Sequence, residues 1–376
     1  MTERNPTAHE RAAPAVPPPG PRRRGHRRVR WLRRPALCTA LLATLAAGAC
    51  TGRGEGDIEL VRVPPGTPFG VVADSLAAKE IIRAPTLFRL YARATGADHS
   101  IRPGTYGFRK GTGWKAVLDD LRDGRVLTVR LVIPEGWDVR RIAPRLARLT
   151  GVDPDSILRI LTDTAMPARY GVPGPTLEGY LYPATYTLPM DAPLGTVLEI
   201  LTGEYRKRWT PERRSRADSL GMSEREVVTL ASIVEKEAKI RDEMPTIAAV
   251  YHNRLRIGYP LQADPTVQYA LGEHQSRLLY AHIDSVADHP YNTYRRRGLP
   301  PGPIASPSEA ALHATLYPAE VPYLYFVARP DGSHIFSRTL VEHNRARAEV
   351  RRARSVAAPA PAARVGPGTI PSAQPE

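Results

Sequence analysis

The sequence predicts an α+β protein, a small subdomain followed by a larger mixed α/β domain, and three observations carry that reading. A chain of 376 residues exceeds what one ordinary small core organises, so two folded domains with tails are expected. Two stretches, "VPPGTPFGVVADSL" and "IPEGWDVRRIAPRL", repeat one pattern. They match as Val63/Ile133, Pro64/Pro134, Gly66/Gly136, Phe69/Val139, Val72/Ile142, Ala73/Ala143 and Leu76/Leu146. Each reads as a strand, a glycine turn and an amphipathic helix. Near the end, "YLYFVARPDGSHIF" alternates Tyr323, Tyr325 and Val327 before a "PDG" turn, the pattern of a β-hairpin.

Taken in order, residues 1–34 form a basic cytoplasmic tail, expected to be disordered because segments such as "AAPAVPPPGP" have too little apolar mass to offset the entropy of ordering. Ten Arg less two Glu in this tail give +8 of the formal +15, so the basicity is largely a tail property and not a nucleic-acid-binding face. Residues 35–50, with the apolar run "ALCTALLATLAAGAC", are shorter than the roughly 20 residues of a spanning helix. A basic run, a short apolar run and small residues before a cysteine make an export signal. It is either an uncleaved membrane anchor or, since "AAGAC" resembles a lipobox, a lipoprotein signal with Cys50 acylated. In both cases the Arg-rich side stays inside the cell membrane and the body is extracytoplasmic. Cys38 and Cys50 are the only cysteines, so the exported body has no disulfide framework.

The first repeat, with further helices over Pro85–Thr95 and Gly113–Leu121, belongs to a subdomain over 58–130. It resembles a LysM module, a βααβ fold that binds the N-acetylated sugars of peptidoglycan and chitin; a generic strand-to-helix connection is the alternative. The larger domain, 131–350, carries "LEGYLYPATYTL", "HNRLRIGYPLQADPTVQYALG" and "YNTYRRRGLPPGPIASPSEAALHATLYP". These read as ordered loops whose Tyr, Asn, Gln and Pro supply the flat faces and hydrogen-bonding groups that hold oligosaccharides. Residues 351–376 form a second Pro/Ala-rich tail, again expected to be disordered.

The stretch "SEREVVTLASIVEKEAKI" predicts a helix over Glu224–Ile240. Ser223 followed by Glu226 is a capping box, and Val227, Leu230, Ile233 and Val234 recur at helical spacing. Glu237 falls on the apolar stripe, where a carboxylate must be paired, neutralised or open to a cleft. Arg241, one turn on, is its candidate ion-pair partner, and catalysis is the other reading. Glu235 points elsewhere and sits four residues before Lys239, the spacing of an exposed ion pair.

In this order, "ASIVEKEA", "NRLRIGYPLQADPTVQYALG" and "YNTY" before "GLPPGPIASP" closely resemble the endolytic murein transglycosylases, the YceG-like family, over about Ile58–Arg345. The resemblance implies that Glu237 is the catalytic acid and that a LysM-like unit precedes the catalytic domain. It also implies cleavage within peptidoglycan glycan strands, at the β-1,4 bond between N-acetylmuramic acid and N-acetylglucosamine, leaving 1,6-anhydro ends. Glu178, Tyr186, Gln262, Asp264, Asn292 and Tyr294 are the candidates for holding the sugars. The chain departs from the family at "YPATY", where Ala184 replaces an acid. No cofactor is required, and the ten histidines show no metal-ligand spacing. An enzyme that releases new strands would work beside the synthases that make them. The alternatives are a non-catalytic peptidoglycan-binding envelope protein and a hydrolytic muramidase using Asp264 or Glu178 to activate water.

Overall fold

The structure is a computed structural model that describes residues 55–273 and 275–357. The basic tail, the apolar run with Cys50, and residues from 358 onward lie outside the described residues. The first unit begins with β1 (Glu55–Val63), which pairs antiparallel with β2 (Gly104–Lys110), Val61 standing opposite Tyr106. Between them lie α1 (Phe69–Ala78) and α2 (Pro85–Ala94), and α3 (Trp114–Asp123) follows. The order is therefore β-α-α-β with one appended helix. Val61, Val72, Leu76, Phe88, Tyr106 and Leu121 are buried together in one apolar core.

The second repeat opens the larger unit. β3 (Thr128–Val132) leads through Gly136 into α4 (Val139–Thr150), then α5 (Pro154–Thr162) and α6 (Met166–Tyr170). β3 pairs antiparallel with β4 (Thr185–Pro189). Gly66 and Gly136 hold matching positive φ angles, +74° and +68°, which a side chain would strain. The matched residues Val72/Ile142, Ala73/Ala143 and Leu76/Leu146 are all buried, so the sequence repeat is one structural device used in two separate cores.

The remaining elements are α7 (Leu194–Arg208), α8 (Pro211–Ser219), α9 (Glu224–Glu237), α10 (Met244–Arg256), α11 (Asp264–Leu271), α12 (Tyr280–Ser285) and α13 (Glu309–Leu316). The hairpin β5 (Tyr325–Ala328) and β6 (His334–Ser337) and the helix α14 (Leu340–Ala357) complete the chain. α9 is central: every side chain from Val227 to Val234 is buried, beneath α13, α10, α11 and α8. A helix buried on all sides is held by packing around it and not by one apolar stripe.

Two expected boundaries differ. α9 begins with the expected capping box, Ser223 and Glu226 bonding reciprocally, but ends at Glu237, three residues early. Ala238 turns extended (ψ 123°), and Lys239 packs where Gly332 of the hairpin turn has no side chain. Residues 351–357, expected in the tail, continue α14, because Ala346 and Val350 are packed and Arg and Ala propagate a helix once it is anchored. The two units touch where Leu127 N–H donates to Thr105 O (2.7 Å) and Thr105 Oγ1 donates to Asp191 Oδ2 (3.0 Å). Among the described residues no helix is long and apolar enough to cross a membrane.

Candidate active site

Glu237 is the last residue of α9 and is half-buried. Tyr251 of α10 donates its hydroxyl to Glu237 Oε1 at 2.9 Å, leaving Oε2 with no hydrogen bond among the described residues. Burial, and then the negative charge of Asp264, push its carboxyl up to about 7, against the Tyr251 hydrogen bond and the Arg254 charge, which lower it. Arg241, the candidate partner, pairs instead with Glu135 in the β3–α4 turn. Glu237 is thus a carboxyl poised near neutrality and not half of that ion pair.

The last two turns of α9 grip two loops. Ser232 Oγ accepts from Ile304 N–H (3.0 Å), and Lys236 Nζ donates to Gly136 O (3.1 Å). Glu235 Oε2 accepts from Ser308 N–H (3.1 Å) and from Ser308 Oγ. Glu235 was expected to be a solvated charge paired with Lys239; it is half-buried because Ser308, the N-cap of α13, is brought against it. The two loops are joined in turn, Gly136 N–H donating to Ser306 O and Ser306 N–H to Trp137 O, each at 2.8 Å.

Facing Glu237, Asp264 opens α11 and accepts from the Tyr294 hydroxyl at 2.5 Å. The Asp264 charge, after burial, raises the Tyr294 phenol and keeps it a donor. Gln262 is exposed and takes a left-handed backbone, φ +48°, uncommon outside glycine. Its N–H donates to Thr293 O (3.1 Å), and Ala263 N–H donates to Thr293 Oγ1 (3.0 Å). Arg254 is buried between the rings of Tyr259 and Tyr325, 5.4 Å from each. It donates to Leu324 O (2.7 Å) and Leu261 O (2.5 Å), so it ties the Gln262–Asp264 turn to β5 and sets a fixed positive charge behind the site.

The other three candidates stand apart from this cluster. Asn292 is fully buried; its amide donates to Ile283 O (2.9 Å) and Val286 O (3.0 Å), and Oδ1 accepts from Tyr294 N–H (3.1 Å). With those groups engaged it shapes the loop that presents Tyr294 and offers no donor to a sugar. Tyr186 is buried on β4, its hydroxyl donating to Tyr182 O at 2.6 Å. Glu178 is 1% exposed and accepts from Val139 N–H (3.2 Å) at the start of α4, where desolvation above all pushes its carboxyl up to about 8. It is a neutral acid inside the core. Ala184 is half-buried against the apolar cluster, its carbonyl accepting from Ile133 N–H at 2.9 Å.

Tyr251 and Arg254 are the members that sequence reasoning missed. Both lie on α10, Tyr251 just before "HNRLRIGYP" and Arg254 within it, and an arginine on a buried helix face is the one signal that points to them. Among the described residues no group of three or more His, Cys, Asp or Glu could hold a metal ion.

A half-buried carboxyl with a raised pKa and a second carboxylate facing it, each held by a tyrosine hydroxyl, are the equipment of a general acid–base enzyme. Residues 61–349 match the YceG-like family, and the chain belongs to that family. It is 31% identical over 308 residues to the endolytic murein transglycosylase of Bacillus subtilis (strain 168), covering 76% of this chain and 83% of that protein. With the endolytic murein transglycosylase of Streptococcus pneumoniae serotype 2 (strain D39 / NCTC 7466) it shares 27% identity over 319 residues, 77% of this chain but 58% of the pneumococcal protein. A crystal structure of a YceG-like protein from Listeria monocytogenes superposes with a TM-score of 0.53 at 32% identity, covering 77% of this chain and 98% of that one.

Proposed function

We propose that this chain is a peptidoglycan lytic transglycosylase, an enzyme of the lyase class, with Glu237 as its single acid–base catalyst. The observation that carries the reading is a carboxyl free of the Arg241 ion pair and lifted to about 7 by burial and by Asp264. Family membership and the transglycosylase relatives in Bacillus and Streptococcus supply the reaction class.

The chemistry follows from one carboxyl changing roles. Protonated Glu237 gives its proton to the glycosidic oxygen, the bond from muramyl C1 to that oxygen breaks, and N-acetylglucosamine leaves with a free 4-hydroxyl. The developing positive charge at C1 is stabilised by the Asp264 carboxylate. The C6 hydroxyl then attacks C1, and Glu237, now ionised, takes its proton. A C1–O6 bond forms, the carboxyl returns to its starting state, and no water is consumed. Tyr251 holds Oε1, so Oε2 is the atom that carries the proton to the glycosidic oxygen. Gln262 and Tyr294, flanking Asp264, are the groups proposed to meet the sugars.

A hydrolytic route needs a second carboxylate to activate water on the opposite sugar face. Glu178, neutral and enclosed, is unsuited to that role, so a muramidase would have to use Asp264, and the new ends of the cut strands separate the two reactions. Attachment of the body to the outer side of the cell membrane, through an anchor or through Cys50, is proposed from residues 21–50 of the sequence. The test is cleavage of purified glycan strands by the intact chain and by Glu237→Gln. The intact chain should release anhydro-ended fragments and the variant none; equal cleavage by both would refute the assignment.

A further inference from the structure

A cavity of about 1170 Å³ lies near the start of α9, and the acid–base chemistry makes no use of it. Arg225, Glu226 and Thr229 of α9 line it, as do Asn253 and Arg256 of α10. Opposite them stand Pro300, Pro301, Pro318 and Pro322, walls whose backbones lose little freedom when a ligand binds.

Its charges are unevenly committed. Arg216 is spent on Leu316 O and on the ring of Tyr317. Arg225 and Arg256 are exposed, and among the described residues neither has a carboxylate within ion-pair distance; Arg256 reaches only Asn253 Oδ1 at 3.0 Å. Of the two acids in the lining, Glu226 is locked into the capping box by Ser223 N–H and Oγ, which leaves Glu320 at the rim. Two available guanidiniums, a rigid apolar wall and one rim carboxylate suit a short peptide that carries carboxylates and an amine.

We infer that this cavity binds the peptide substituent of the glycan strand, an inference that rests on the proposed function. Distance supports it. Along α10, Arg256 comes five residues after Tyr251, the donor to Glu237, which is about 8 Å along the axis. A peptide of about five residues reaches roughly 17 Å when extended, so one attached to the muramyl residue at Glu237 has length to pass over the helices that cover Val227–Val234 and place a carboxylate at Arg256, with Arg225 lining the same cavity. The site would then select strands that still carry their peptides.

Titrating a soluble muramyl peptide into the intact chain by calorimetry tests this without any cleavage. The peptide should bind, an Arg225→Ala/Arg256→Ala double variant should bind it about tenfold more weakly or worse, and amidating the peptide carboxylates should have the same effect on the unaltered protein. No binding, or equal binding in all three cases, overturns the inference, and the amidated peptide decides the matter even if the double variant fails to fold. With strands as substrate, the double variant should lose about tenfold in kcat/KM on peptide-bearing strands and nothing on peptide-stripped ones. If no strand is cut by any form, the proposed reaction fails while the calorimetry still decides the cavity.

Discussion

Glu237 is the proposed acid–base catalyst because its surroundings oppose its charge. Burial and Asp264 raise its pKa to about 7, so the folded chain holds a proton there that the unfolded chain releases near pH 4.3. Stability linked to this group is full below about pH 4.3 and is lost as pH rises through about 7. Glu237→Gln should therefore abolish cleavage, by at least the roughly 10²- to 10⁴-fold typical of a general acid, yet melt higher than the parent at pH 8 and no higher at pH 4. Thermal melts across that range check it, and a variant that melts lower at pH 8 would mean the carboxylate is stabilised there. Tyr251→Phe removes a hydrogen bond that lowers this pKa, so the alkaline limb of the rate profile should move to higher pH. A downward shift would show that Tyr251 acts in another way.

The last turn of α9 explains why Glu237 is positioned, and its partners were only partly legible in sequence. The capping box at Ser223 and Glu226 was readable because it is local. The role of Glu235 was not, since Ser308 lies far away in the chain and only the fold joins them. The helix end was hidden for a similar reason: Ala238, Lys239 and Ile240 would all continue a helix, and the hairpin turn at Gly332 decides otherwise. Glu235→Ala leaves the Ser308 N–H and hydroxyl without their acceptor and should cost about 1–3 kcal/mol, measured by denaturant unfolding, with a smaller loss of activity than Glu237→Gln. Gly179 tests the neighbouring loop. Its φ is +83° and an added Cβ would collide with Pro303, next to the Ile304 that bonds Ser232. Gly179→Ala should destabilise by about 1–3 kcal/mol and lower the rate; unchanged stability would show that the loop yields.

Across the molecule, two cores share one strand–turn–helix device, and that repeat was visible in sequence because the burial of Val72/Ile142 and Leu76/Leu146 imposes the same apolar spacing twice. The cluster that joins Glu237, Asp264, Tyr251, Tyr294 and Arg254 was legible only in its acids and Tyr294. Tyr251 and Arg254 act through contacts that no local pattern encodes. The units meet at Asp191, which accepts from Thr105 Oγ1 and lies 3.8 Å from Arg62. Asp191→Ala should cost about 1 kcal/mol in thermal melts and leave cleavage of short strands unchanged; a large rate loss would mean the first unit helps to shape the catalytic site. The central claim is that Glu237 directs the muramyl C6 hydroxyl, and not water, to the anomeric carbon. Mass spectrometry of glycan strands cut in heavy-oxygen water tests it most directly: the new ends should be anhydro and free of label, whereas labelled reducing ends would contradict the account.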